Sequence, residues 1–149
     1  MKITDVPTDT GHDLIKNSFF DDVKAFHQLF SLPVGERPAF TNPEDVELRM
    51  RLIDEERNEL EEAILNNDIV EVADALADLI YVACGAAVSF GIPLNEVWNE
   101  VQRTNMAKVG KDGRPSYRPD GKVSKPEGWQ PPDIRGVIAR AYDGRTDNQ

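Results

Sequence analysis

Residues 69–90 constrain the fold of this chain more than any other stretch. On a helical wheel, Val70, Val72, Leu76, Leu79, Ile80, Ala83, Cys84 and Val88 spread almost all the way round. A helix that is apolar on every side is expected to be buried. Glu71, Asp74 and Asp78 interrupt it at i, i+3 and i+7, within about 60° of one another. Three like charges on one stripe repel each other and are costly to desolvate. No basic residue on this helix neutralises them. A divalent cation would remove that cost, and Mg²⁺ takes oxygen ligands from carboxylates, water and substrate phosphates.

Strand-like alternation is nearly absent elsewhere, while apolar residues recur at 3–4 spacing. Four main helices are expected, followed by a basic tail and a short last helix. The first spans roughly Ser18 to Ser31, capped by Ser18, with Val23, Phe26 and Phe30 on one face. A loop with Pro and Gly covers residues 32–41. The second helix starts with Asn42 as cap and Pro43 at its first position, and ends near Asn66-Asn67-Asp68. The third closes at Phe90, with Gly91 as C-cap. The fourth begins after Pro93 and reaches about Lys108.

The second helix carries its own acids. Glu55, Glu56 and Glu59 share a sector with Leu48 and Leu52 rather than lying mid-way across the solvent face. Taken alone, such a run is what a solvated helix face shows. Beside the stripe on the next helix, which is expected to pack antiparallel, it becomes the second half of a cation site.

Composition sets the outer limits. With 149 residues the chain suits a single domain of about 1–142. Its helical core is expected at about 18–108, its tail at 109–131, a short helix at 132–142, and disorder over 143–149. The net charge of -10 argues against a nucleic-acid polymer as partner. No apolar run reaches membrane-spanning length, no signal peptide is expected, and Cys84 stands alone, so a reducing cytoplasm is the expected location. Residues 107–130 carry six basic and three acidic residues, leaving the rest of the chain at -13.

Glu55-Glu56-Arg57-Asn58-Glu59 fits an EExxE motif, and Glu71-Val72-Ala73-Asp74 fits an ExxD motif that begins twelve residues after Glu59. In these motifs the chain resembles the MazG-like and all-α dUTPase-like nucleoside triphosphate pyrophosphohydrolases. The resemblance runs from the first helix through Asn105-Met106-Ala107-Lys108 and into the Lys- and Pro-rich tail. It implies an all-α, four-helix bundle-like fold that forms a homodimer or homotetramer. It also implies Mg²⁺-dependent hydrolysis between the α- and β-phosphates, with Mn²⁺ as a possible substitute, releasing a monophosphate and pyrophosphate. By position it implies Glu55, Glu56, Glu59, Glu71 and Asp74 as metal ligands. Asp78 is a further candidate ligand, and Glu55 or Glu56 is the group that activates water.

A triphosphate also needs cations. Lys108 matches the lysine of an N-x-x-K pattern in some relatives. Asn105 is a candidate contact for sugar or base, and Arg118, Lys122 and Lys125 for phosphates. His27 is a weaker candidate, since a lone histidine between Phe26 and Phe30 is more often structural; in relatives the first helix contributes to the base pocket. Trp98 is expected in the core or an interface, Trp129 as the anchor of the tail, and Cys84 in the core. Phosphoribosyl-ATP pyrophosphohydrolase, a non-catalytic assembly bundle and a nucleotide-sensing module are the rival functions.

Overall fold

The structure, a computed structural model, describes residues 18–143. Five helices follow one another: α1 (Phe19–Leu29), α2 (Pro43–Leu65), α3 (Ile69–Ser89), α4 (Leu94–Met106) and α5 (Ile134–Asp143). No strand occurs among the described residues, only an isolated antiparallel bridge between Tyr117 and Val123. Residues 1–17 and 144–149, on which the signal-peptide expectation and nearly all of the expected disordered end fall, lie outside the described residues. No single described helix is long and apolar enough to cross a membrane.

Local chemistry sets the helix ends. Ser18 and Asp21 form a reciprocal capping box on α1. Asn42 accepts the Asp45 amide at 2.8 Å, and Pro43 opens α2. Asn67, at φ 54°, turns α2 back on α3, and Asp68 caps the new helix by accepting from Val70 and Glu71. Gly91 takes φ 64° after α3, and a Cβ on Gly35 would collide with its backbone. That close approach lets the loop run against the end of α3, where Gly35 N donates to Val88 O at 2.8 Å and Ala39 N to Phe90 O at 3.0 Å.

α1 and α2 both pack on α3, while α5 packs on α4, and the chain bends by 118° between α3 and α4. Val23, Cys84 and Val88 form the apolar core, with Phe20, Val34 and Leu94 against it. Beside it lies a buried polar layer that periodicity did not foretell. Arg49 pairs with Asp45 at 3.0 Å with both side chains 7% exposed, Thr41 donates to Asp45 at 2.6 Å, and His27 is 2% exposed. The Nδ1 of His27 lies 2.7 Å from Pro33 O. A carbonyl oxygen only accepts, so Nδ1 carries the proton.

Three expectations about burial need correction. α3 is not buried all round in the single chain: its buried residues are Ala75 and a C-terminal group from Cys84 to Ser89, whereas Val70 is 71% and Leu76 45% exposed. The buried face of α1 is Val23 and His27, not Val23, Phe26 and Phe30; Phe30 is 58% exposed. Of the two places expected for Trp98, core or interface, the core is excluded, since the residue is 67% exposed. In each case the apolar pattern identified a surface that α1–α5 of one chain do not cover.

The tail is built from tight turns. Gly110–Arg114 and Arg118–Lys122 close in the same way: Gly110 N donates to Arg114 O (2.9 Å) and Arg118 N to Lys122 O (2.8 Å). In each, an Asp-Gly pair supplies the turn, with Gly113 at φ 75° and Gly121 at φ 80°, and the Asp carboxylate accepts the amide two residues on.

Candidate active site

The turn at Asn67 lies eleven residues from Glu56 and eleven from Asp78. In a two-helix hairpin these positions face each other, and the electrostatics agree. The Glu56 carboxyl is held above its ordinary range, first by burial and then by the charges of Glu59, Asp78, Glu55 and Asp74. Two helices therefore converge their acids on one glutamate.

Glu56 is half-buried between the exposed Glu55 and Glu59. Its Oε2 is sealed from solvent and has no hydrogen-bond partner. Buried carboxylate oxygens are rarely left so. None of Glu56, Glu59, Glu71, Asp74 and Asp78 makes an ion pair among the described residues, while Glu55 has only Arg51, at 3.8 Å. As the side chains stand, no three of them surround one point at metal-ligand distance. What the donor set offers is uncompensated oxygen charge around an orphaned oxygen, which fits a hard divalent cation. Glu71 is exposed and is not among the acids acting on Glu56, whereas Asp78 is.

An open groove of about 860 Å³ runs along α2 and takes in Glu55. Phe40, Val46, Met50, Arg51 and Asp54 are among its lining residues. Phe40 is 82% exposed, yet its ring packs edge-on against Phe90 at 5.5 Å. Neither Phe40 nor Met50 belongs to a motif; the sequence signals for them are an aromatic ending a Pro-containing loop and an apolar position on the second helix.

The remaining candidates divide. His27 is enclosed against Gly85 and Pro33, so its ring serves packing and is not presented to a ligand. Arg118 pairs with Asp120 at 3.0 Å, and the exposed Lys122 ends the same turn. Asn105, Lys108 and Lys125 meet around Trp129. Lys108 Nζ donates to Asn105 Oδ1 at 2.8 Å, and the two ammonium groups lie 5.6 and 4.5 Å from the Trp129 ring centre. Trp129 anchors the tail as expected, through its indole N–H to Thr104 O at 2.7 Å.

Comparison with known proteins places this arrangement. The chain is 34% identical over 135 residues to an uncharacterised protein of Acanthamoeba polyphaga mimivirus, covering 86% of this chain and 51% of that one. The chain thus spans about half the length of that relative. The fold superposes with a TM-score of 0.50 on a protein of Exiguobacterium sp. 255-15 provisionally assigned as an NTP pyrophosphohydrolase, at 26% identity, covering 87% of this chain and 98% of that one. The family model for phosphoribosyl-ATP pyrophosphohydrolase matches residues 23–105, more than half of the sequence, including both acidic motifs. The chain therefore belongs to the phosphoribosyl-ATP pyrophosphohydrolase family, within the MazG-like all-α NTP pyrophosphohydrolase superfamily.

Proposed function

We propose that this protein is a Mg²⁺-dependent hydrolase that cleaves a nucleoside triphosphate between its α- and β-phosphates, giving a monophosphate and pyrophosphate. The observation that carries the proposal is the unpartnered Oε2 of Glu56, set among the charges of Glu55, Glu59, Asp74 and Asp78. Glu55, Glu59, Asp74 and Asp78 hold the cation, and Glu71 joins them through the ExxD motif. When bound, Mg²⁺ supplies charge neutralisation at the phosphoryl oxygens. Glu56, whose Oε2 has no partner in the fold, takes the proton of the attacking water. The groove beside Glu55 receives the nucleoside, with Phe40 and Met50 as its apolar wall.

The family model favours one particular substrate, phosphoribosyl-ATP, and the same bond type would be cut. Both readings are tested together. The protein is incubated with Mg²⁺ and either a panel of nucleoside triphosphates or phosphoribosyl-ATP, and pyrophosphate is measured. Release that disappears in Glu59→Gln is the expected result. Orthophosphate release would show that another bond is cut. No release from any substrate would leave a binding or assembly module.

A further inference from the structure

We infer that Glu47 makes the outer end of the α2 groove a selector, which admits a base with an amino donor and rejects one that carries a second phosphate. This rests on the hydrolase reading and chooses between its two substrates: a plain nucleoside triphosphate is taken and phosphoribosyl-ATP is not.

The groove has a direction. Glu55 belongs to the acidic site, and of the lining residues only Asn58 lies past it. A triphosphate held at the acids therefore leaves its nucleoside to run along α2 toward Pro43. Glu47 precedes Glu55 by eight residues, about 12 Å along the helix axis. That is close to the reach of a nucleotide from its α-phosphorus to the outer edge of its base. On the way the base meets Phe40 and Met50, which are 82% and 63% exposed in the empty groove.

Charge decides what the outer end accepts. Three carboxylates, Glu47, Asp54 and Glu55, line the groove against one guanidinium, Arg51. Arg51 stands one turn from Glu55 and 3.8 Å from its carboxylate, at the phosphate end. From there to Pro43 no cation lines the groove. The N-terminus of α2 offers no anion seat either. Pro43 has no N–H, Asn42 accepts the Asp45 amide, and Glu44 adds a negative charge in the first turn. Glu47 is exposed and forms no ion pair among the described residues. Its carboxylate accepts hydrogen bonds and donates none. It suits the exocyclic amine of cytosine or adenine and opposes the carbonyl that uracil presents at the same edge. In phosphoribosyl-ATP a ribose bearing its own phosphate is joined to the base. Those further charges must enter the acidic end, where no cation meets them.

The test measures kcat/KM of the full chain with Mg²⁺ for ATP, CTP, UTP, their deoxy forms and phosphoribosyl-ATP. The adenine and cytosine nucleotides are expected to be about tenfold better substrates than phosphoribosyl-ATP and than the uracil nucleotides. Added NaCl narrows the gap to phosphoribosyl-ATP, because salt screens the repulsion. Glu47→Gln shrinks both preferences. Glu47→Lys reverses the salt trend, so that phosphoribosyl-ATP gains at low ionic strength and loses as NaCl is added. A merely structural Glu47 would change every substrate alike. Calorimetry with the α,β-methylene analogues of ATP and UTP repeats the base comparison without turnover. Phosphoribosyl-ATP cleaved as well as ATP, or preferences unchanged in both Glu47 variants, overturns the selector and keeps the hydrolase. Analogues bound with a Glu47-dependent preference by a protein that releases no pyrophosphate keep the selector and refute the hydrolase. No analogue bound at all overturns the selector.

Discussion

Arg49 grips a single oxygen of Asp45: its Nε and Nη2 lie 3.1 and 3.0 Å from Oδ1, while Oδ2 takes the Thr41 hydroxyl at 2.6 Å. Removing one partner leaves a buried charge uncompensated. Arg49→Met should therefore cost about 3–5 kcal/mol in urea denaturation. The exposed pair Arg57–Glu61 has the same spacing, and Arg57→Ala should cost at most about 0.5 kcal/mol. Equal losses would mean that burial does not set the value of the pair.

Gly85, on α3, faces His27 on α1. A Cβ there would lie 3.2 Å from His27 Nε2 and 3.6 Å from the Arg49 guanidinium. Alanine would gain about 1 kcal/mol of helix propensity. The ring cannot retreat, because Nδ1 is tied to Pro33 O and the residue is 2% exposed. Crowding of about 1–3 kcal/mol should win, so Gly85→Ala lowers the melting temperature. The Gly85→Ala/His27→Ala pair should be strongly non-additive, and additive losses would show that the two do not touch.

Glu56 gives a pH dependence of defined sign. Its carboxyl is raised in the fold, so the folded protein binds that proton more tightly than the unfolded chain. The resulting stability is present below the ordinary glutamate range and is lost as pH rises through the folded value. Without Mg²⁺, Glu56→Gln should melt higher than wild type at pH 7, and the two should converge below about pH 4. A variant that melts lower at pH 7 would show that the site does not strain the apo fold.

Asp78 and Glu71 can be ranked. Asp78 acts on Glu56 and Glu71 does not figure there. Stabilisation by saturating Mg²⁺ should therefore fall further in Asp78→Asn than in Glu71→Gln, measured as the shift in melting temperature on adding the ion. The reverse order would restore the ExxD glutamate as the leading ligand on α3.

Glu100 clamps α5. It receives Arg103 at 2.8 Å and the Asp133 amide at 2.9 Å, and these bonds, Arg103 first, hold its carboxyl down to about 2. A lowered value makes the contact fully present above the ordinary carboxylate range and lost as pH falls through about 2. The Asp133 amide resonance should titrate with a midpoint of about 2. A midpoint near about 4.3 would mean that the clamp is not formed in solution.

The helix boundaries were legible because single residues set them: Ser18, Asn42-Pro43, Asn67 and Gly91 each act through their own backbone or side chain. The pairing of Glu56 with Asp74 and Asp78 was legible too, as a consequence of two motifs flanking one turn. Burial was not. Periodicity reports which face is apolar and says nothing of what covers it, so α3 was assigned to a core that the single chain does not close, and of the two places expected for Trp98 the core is excluded. Nothing in the spacing of Asp45 and Arg49 foretells that they pair out of solvent, because buried ion pairs leave no apolar period. The Lys108–Trp129–Lys125 contact depends on turn geometry over 21 residues, which residue spacing alone does not encode.

The last turns of α4 hold both returning segments, Thr104 through Trp129 and Glu100 through Asp133. The family match stops at residue 105, within that same stretch of helix. A protein trimmed at this border would keep both acidic motifs, yet it would strip Thr104 and Glu100 each of a bonded partner. The shared ancestral segment and the smallest piece worth expressing are therefore different lengths of chain, and the second reaches at least to the end of α5.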